Sequence, residues 1–312
     1  MKKIFNATHI EGPVYQHSLE LKVSGPGSKN PGTEFISGNL EIATDNAGVN
    51  IVPVHFTYTT ATYGKSGKTN ETFNTLKNFI DGVYKTIMKD GADQATKVRI
   101  DSAIDLNEFY SDRNGAEELV SVKRNEGGFV HVVSAIDEDE NKRNTFDCDI
   151  VITNVREIEA DEEKNIPEKA IIKGAIFNFR NDLLPVEFSV VNPNAIDYFV
   201  NLGATQSSPV FTRIKGRQIS ETIVRKIEEE SAFGEASIRE VKNTRKDYVI
   251  TWAAKETYLW DDESSITAAE FKECIANRET TLATLKQRND AYKASKGQTA
   301  PAAAPAAGAF NF

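Results

Sequence analysis

The sequence predicts a mainly β protein with some α, built from two small β-barrels or sandwiches in tandem and followed by a helix and a disordered tail. The first reason is an internal echo. Ser37-Gly38-Asn39-Leu40-Glu41-Ile42, a short loop, and Val52-Pro53-Val54-His55-Phe56-Thr57 are matched by Lys173-Gly174-Ala175-Ile176-Phe177-Asn178, a short loop, and Leu184-Pro185-Val186-Glu187-Phe188-Ser189. Both copies run on into an amphipathic segment (Phe73, Leu76, Phe79, Ile80; Ile196, Phe199, Val200, Leu202) and then into another strand, at 96–100 and 211–214. The second reason is size. A chain of 312 residues with 39% hydrophobic content is long enough for about two domains, each with its own core. The third is that apolar alternation recurs between turn-forming clusters along most of the chain.

The elements follow in order. Leu19, Leu21 and Val23 alternate as in a strand, and the Gly- and Pro-rich run 24–32 that follows forms a mobile loop. Residues 35–63 read as a long hairpin turning at Asp45-Asn46-Ala47-Gly48. The basic, glycine-rich tip Gly64-Lys65-Ser66-Gly67-Lys68 leads through capping residues Thr69-Asn70-Glu71 into a helix to about Lys89, with Phe73, Leu76, Phe79, Ile80, Val83 and Ile87 on one face. Strands return from Lys97 to Val133, the acidic stretch 137–144 is a solvated turn, and 145–157 is another strand. The charged run 159–164 followed by Pro167 marks a boundary near residue 165. The predicted units are therefore 1–165, 166–262, a C-terminal helix over 263–297 with Phe271, Ile275, Leu282 and Leu285 on its apolar side, and a tail over 298–312. The tail is Ala- and Pro-rich and ends in Phe310 and Phe312, which point to a partner-docking peptide.

Composition bounds the function. Two distant cysteines, Cys148 and Cys274, indicate neither a disulfide framework nor a zinc site, and a reducing compartment is expected. The N-terminus has no apolar stretch of signal-peptide length and no run reaches membrane-spanning length, so a cytoplasmic protein without membrane contact is expected. A net charge of −9 argues against attraction of polyanions by the whole surface, though not against a local basic groove. No catalytic constellation or cofactor motif emerges. Gly67-Lys68-Thr69 has the closing letters of a phosphate-binding loop, but Thr62 stands where its first glycine is needed. His9, His17, His55 and His131 have no metal-ligand spacing. A non-enzymatic protein is expected.

Binding is better supported. Single-stranded nucleic acid is held by cations for phosphates and flat side chains for bases, and small β-barrels offer both on strand faces and loops. The candidates in the first unit are Tyr58, Tyr63, Lys65 and Lys68 at the hairpin tip, with Phe109, Tyr110, Arg113, Lys123 and Arg124 on neighbouring strands or turns. In the second unit, 209–226 contains Arg213, Lys215, Arg217, Arg225 and Lys226 against the single acid Glu221.

The segments 38–45, 54–58, Leu106-Asn107-Glu108-Phe109-Tyr110 and Glu126-Gly127-Gly128-Phe129-Val130 resemble a group of bacteriophage proteins of OB-fold type regarded as single-stranded DNA-binding, mainly over residues 35–133. The resemblance implies OB-like barrels, sequence-tolerant binding in phage-type replication or recombination, and a location in the host cytoplasm. Bacterial single-stranded DNA-binding proteins also end in a partner-docking tail with a final Phe, although the acids that normally precede it are missing here. Docking of replication or recombination proteins and self-association are the further expected interactions. The alternative is a virion structural or assembly protein made of tandem β-domains.

Overall fold

Alternating apolar residues fold the first half into β1 (Asn6–His17), β2 (Glu20–Val23), β3 (Glu34–Ala43), β4 (Ile51–Thr60), the short β5 (Thr62–Tyr63) and β6 (Lys68–Thr69), α1 (Glu71–Ile80), α2 (Ile87–Asp90), β7 (Lys97–Ser111) and β8 (Glu118–Val132). The second half contains β9 (Asn144–Ile158), β10 (Lys169–Phe177), β11 (Leu183–Val190), α3 (Pro193–Asn201), β12 (Val210–Glu229), β13 (Ser237–Ala253) and α4 (Ala268–Ser295). The computed structural model describes residues 4–113, 115–160, 168–229, 237–260 and 266–295, without the side chains of Lys65 and 221–245. The tail from 298, with Phe310 and Phe312, lies outside the described residues.

Strand pairing draws one circuit twice. In the first half β1 pairs with β3, β3 with β4, β4 with β8, β8 with β7, and β7 again with β1. In the second half the ring is β9, β10, β11, β13, β12 and back to β9. In both, the third and fifth barrel strands are parallel, all other pairs are antiparallel, and a helix lies between the third and fourth. This is the five-stranded, Greek-key OB barrel.

The repeated glycines have a shared geometric cause. A Cβ at Gly38, whose φ is +132°, would sit 2.2 Å from the Ser18 carbonyl oxygen, and one at Gly174 would sit 2.4 Å from that of Val151. Each lies where the second strand shifts register. The bend that closes each barrel thus needs a residue without a side chain.

Each barrel is plugged by its helix. Phe73, Leu76 and Phe79 of α1 join Ile10, Leu40, Phe56 and Ile100, while Ile196 and Phe199 of α3 join Phe146, Ile172, Phe188 and Ile250. Full burial contributes about 1.5–3 kcal/mol for each such side chain. Helix α3 is started by Pro193 in its first turn and by the Asn192 side chain accepting from the Ala195 N–H. Helix α1 is shorter than predicted. It stops at Ile80 because Gly82 adopts φ +73°, which leaves Val83 exposed and gives 87–90 a separate turn.

The second barrel also begins earlier than the charge pattern indicates. Strand β9, placed before a boundary near residue 165, pairs with β10 and β12 and supplies Phe146, Cys148, Ile150 and Ile152 to the second core. The charged run therefore falls in the connection between that barrel's first and second strands.

The two first strands, β1 and β9, pair antiparallel from Asn6↔Cys148 to Ile10↔Asn144, which relates the barrels by a local pseudo-two-fold axis. Buried amides reinforce the junction. Asn125 Nδ2 donates to Gln218 Oε1 at 2.8 Å, and Gln218 Nε2 donates back to Asn125 Oδ1 at 2.9 Å. Helix α4 then straps the barrels. The Thr267 hydroxyl and Glu270 carboxylate cap its start, and Phe271 and Cys274 pack with Phe177, Leu183 and Phe211 of the second barrel. Farther along, Arg278 pairs with Glu108, and Lys286 and Lys293 with Glu117, all on the β7–β8 hairpin. Its buried line is Phe271, Cys274, Arg278 and Leu282, so the helix is held by charge pairs as much as by the expected apolar side.

Candidate nucleic-acid interface

An OB barrel offers ligands the outer face of its second and third strands and the loops beside it. In the first barrel this is the outside of β3 and β4, flanked by β8. His55 Nδ1 meets Asn39 Oδ1 at 2.8 Å, Thr57 donates to Glu126 at 2.5 Å, and the Arg124 guanidinium bridges Glu126 at 2.8 Å and Thr57 at 3.3 Å. Burial pushes the His55 imidazole below its ordinary value, and the positive charges of Arg124 and Lys22 push it further. Three basic side chains therefore gather on one strand face.

At the end of that face, the β2–β3 hairpin and the end of β4 bring Phe35 and Tyr58 together, with ring centroids 4.5 Å apart. The Tyr58 hydroxyl lies 3.1 Å from Ser24 Oγ, so the ring is fixed while it remains 46% exposed. Tyr63 is 42% exposed on β5, and Lys68 is exposed on β6 beside it. The hairpin-tip candidates thus share one end of the barrel, apart from Lys65, whose side chain lies outside the described residues. Phe35, Lys22 and His55 join them although no sequence motif singled them out for binding.

The remaining first-unit candidates sit on the β7–β8 hairpin, which extends past its own barrel towards the second. Phe109 and Arg113 are exposed, and Tyr110 is half-buried with Lys286 Nζ 5.3 Å from its ring centroid. Lys123 reaches into the second barrel, where its ammonium donates to the Glu187 carbonyl and stands 5.0 Å from the Phe188 and 4.5 Å from the Tyr248 ring centroid. Burial lowers its pKa to about 8, against the opposing pull of Asp247 and Glu187.

Lys123 closes one side of a cavity of about 550 Å³ between this hairpin and the outside of β10 and β11. Lys169, Lys173 and Lys246 are among its lining residues, as are Glu187 and Asp247. Lys173 pairs with Glu187 at 2.7 Å, and Ser189 donates to Asp247 at 2.8 Å. The cavity is assembled from strands far apart in sequence, so only the repeat, which makes β10 and β11 the counterparts of β3 and β4, pointed towards it.

Arg213, Lys215 and Arg217 lie elsewhere, on the convex outer side of β12. Asp147 takes Arg213 through two hydrogen bonds of 2.7 and 2.9 Å and Lys215 at 3.1 Å, which lowers the Asp147 pKa despite its burial. Arg213 also stacks over Phe5 at 4.2 Å, Lys215 over Trp252 at 5.2 Å, and Arg217 bonds to Asn141. The structure does not bring these three to the outer face of β3 and β4 or of β10 and β11, and the side chains of Arg225 and Lys226 lie outside the described residues. Among the described residues no group of three or more His, Cys, Asp or Glu is placed to hold a metal ion, and no helix is long and apolar enough to cross a membrane.

A family model described as YorF matches residues 4–288, and the chain belongs to that family. No curated protein matches it. Among solved structures, it is similar to a deletion mutant of the single-stranded DNA binding protein from Thermus aquaticus, with 11% identity, 85% of this chain and 100% of that chain covered, and a TM-score of 0.45. It is also similar to a replication protein A heterotrimer bound to ssDNA, with 9% identity, coverage of 79% and 50%, and a TM-score of 0.21.

Proposed function

We propose that this YorF-family chain is a non-enzymatic, sequence-tolerant single-stranded DNA-binding protein acting in phage-type replication or recombination. The observation that carries the reading is the outer face of β3 and β4, where the exposed Tyr58 ring stacked on Phe35 stands at the end of a face holding His55, Arg124 and Lys22. The Arg124 and Lys22 cations attract the phosphate backbone and release its counterions, while the flat rings receive bases without selecting among them. Asn39, His55 and Thr57 add donors and acceptors that suit an unpaired strand.

Fluorescence anisotropy with labelled oligo-dT of about 30 nucleotides, longer than the usual site of one OB fold, tests the proposal against duplex of the same length. The expected result is tighter binding of the single strand, weakening linearly in log salt. Undetectable binding at low salt overturns it and turns attention to a virion structural role. Partner docking through Phe310 and Phe312 and self-association belong to the same proposal. Truncation after Gln298 is expected to leave strand affinity unchanged and to abolish recovery of replication proteins from infected-cell lysate. An unchanged set of recovered proteins removes the docking claim.

A further inference from the structure

We infer that the cavity between the β7–β8 hairpin and the outside of β10 and β11 is a phosphate-binding site. Four lysines, Lys123, Lys169, Lys173 and Lys246, are among its lining residues, with two acids, Glu187 and Asp247. Both carboxylates already have partners, Glu187 in Lys173 and Asp247 in the Ser189 hydroxyl. The balance of charge facing the cavity is positive in a chain whose net charge is −9. A localised reversal of that kind concentrates anions where the whole surface would repel them.

The form of the site suits a phosphate. Lysine is a compact point charge on a flexible stem, and several lysines together suit a tetrahedral group with oxygens on several sides. Lys123 supplies the least hydrated of the four charges, because its ammonium is packed against Phe188 and Tyr248 and has lost most of its water. An anion there restores solvation that burial removed, and does so in a low-dielectric setting where each contact is strong. At about 550 Å³ the cavity also exceeds what a lone phosphate fills, leaving room for an attached sugar.

The strand-binding proposal supplies the source of that phosphate, and the inference rests on it for the source alone. The ligand is either an internal phosphodiester of a strand crossing the second barrel or the terminal monoester of a strand ending there. The test compares the full chain with the double variant Lys169→Gln/Lys246→Gln, which leaves Lys123 and the hydrogen-bonded carboxylates in place. A control pair, Lys77→Gln/Lys142→Gln, removes equal charge away from the cavity.

Thermal melting in inorganic phosphate against chloride at matched ionic strength reads the site without any strand. The parent and control are expected to be raised by phosphate and the double variant is not, although all three melt alike in chloride. Anisotropy then uses one oligonucleotide with free ends, with a 5′-phosphate and with a 3′-phosphate. For an internal phosphate, the double variant's log–log salt slope is shallower by about 0.7 with all three, equivalent to about 5-fold weaker binding at 0.1 M salt relative to 1 M. For a terminal phosphate, one phosphorylated form binds the parent more tightly and that advantage is absent in the double variant. Phosphate protection without any strand binding upholds the site while refuting the strand proposal. Equal phosphate response in parent and double variant, with unchanged salt slopes and no end preference, overturns the site.

Discussion

Replacing Asn125 with Ala tests whether the barrels fold as one unit. Asn125 is 2% exposed and Gln218 4%, and their amides exchange two hydrogen bonds across the junction, with Asn125 also donating to the Pro53 carbonyl at 3.1 Å. The substitution strips partners from Gln218 Oε1, Gln218 Nε2 and the Pro53 oxygen. A buried polar group left unpaired costs about 1–3 kcal/mol, and the Pro53 oxygen retains a second lone pair, so the two Gln218 atoms set an expected loss of about 2–6 kcal/mol. The Gln218→Ala variant should cost a similar amount. The double variant should cost less than the sum by about 2–6 kcal/mol, because the second change removes the two groups that the first orphaned. Urea unfolding gives the energies, and two probes locate them. Both tryptophans, Trp252 and Trp260, belong to the second half of the chain, whereas far-ultraviolet circular dichroism reports every strand. A junction that couples the barrels shifts both transitions together. A loss below about 1 kcal/mol, or a shift of the dichroism alone with the tryptophan transition fixed, refutes the coupling.

Tyr58→Ala should weaken oligo-dT binding by about 1–3 kcal/mol with little change of salt slope, measured by anisotropy; a misfolded variant would instead assign the ring to packing on Phe35. His55, with its folded-state pKa below the ordinary value of 6.5, is neutral at pH 7, so its stability contribution is present above about 6.5 and lost as pH falls below it. Protonation adds a cation to the strand face, so affinity should rise over that same fall, and His55→Gln should flatten the rise. Lys286 and Lys293 hold the Glu117 carboxyl at about 2. The stability from this cluster is present above about 4.5 and lost as pH falls towards about 2, and Glu117→Gln should raise hydrogen exchange in the last turns of α4 at pH 7 while removing that acid dependence.

The repeat was legible because closing a small barrel imposes the same local demands twice: a bend without a Cβ at Gly38 and Gly174, alternating apolar strands, and an apolar helix face over the open end. Aromatics at the first hairpin tip were legible for a similar reason, since tip residues have little core to enter. The barrel boundary was obscured by β9. Fifteen residues long, it serves both β1 and the second barrel, so its apolar pattern matches the strands before it as well as those after it. Arg213 and Lys215 illustrate the opposite limit. A basic run along one strand looks available to phosphates, but Asp147 on the neighbouring strand binds both, and nothing within 209–226 reveals that register. Lys123 similarly resembled a surface cation, yet its hairpin carries it into the neighbouring barrel.

The repeat also preserves one polar device while changing what surrounds it. Thr57 donates to Glu126 across the third and fifth strands of the first barrel, and Ser189 donates to Asp247 across those of the second. Around this shared pair the echo replaces Ser37 with Lys173 and His55 with Glu187, so the second copy gains a lysine–carboxylate pair where the first has neutral groups. The β7–β8 hairpin adds Lys123 to the second face alone, while Phe35 and Tyr58 give the first its exposed stack. The copies are thus complementary in chemistry, one offering rings and the other ammonium groups. Because β1 and β9 join them through a continuous sheet, a strand that engages both meets the two chemistries at a fixed separation. Affinity then depends on simultaneous engagement, and damage to the junction at Asn125 and Gln218 should weaken binding even though neither amide belongs to the proposed contact surface.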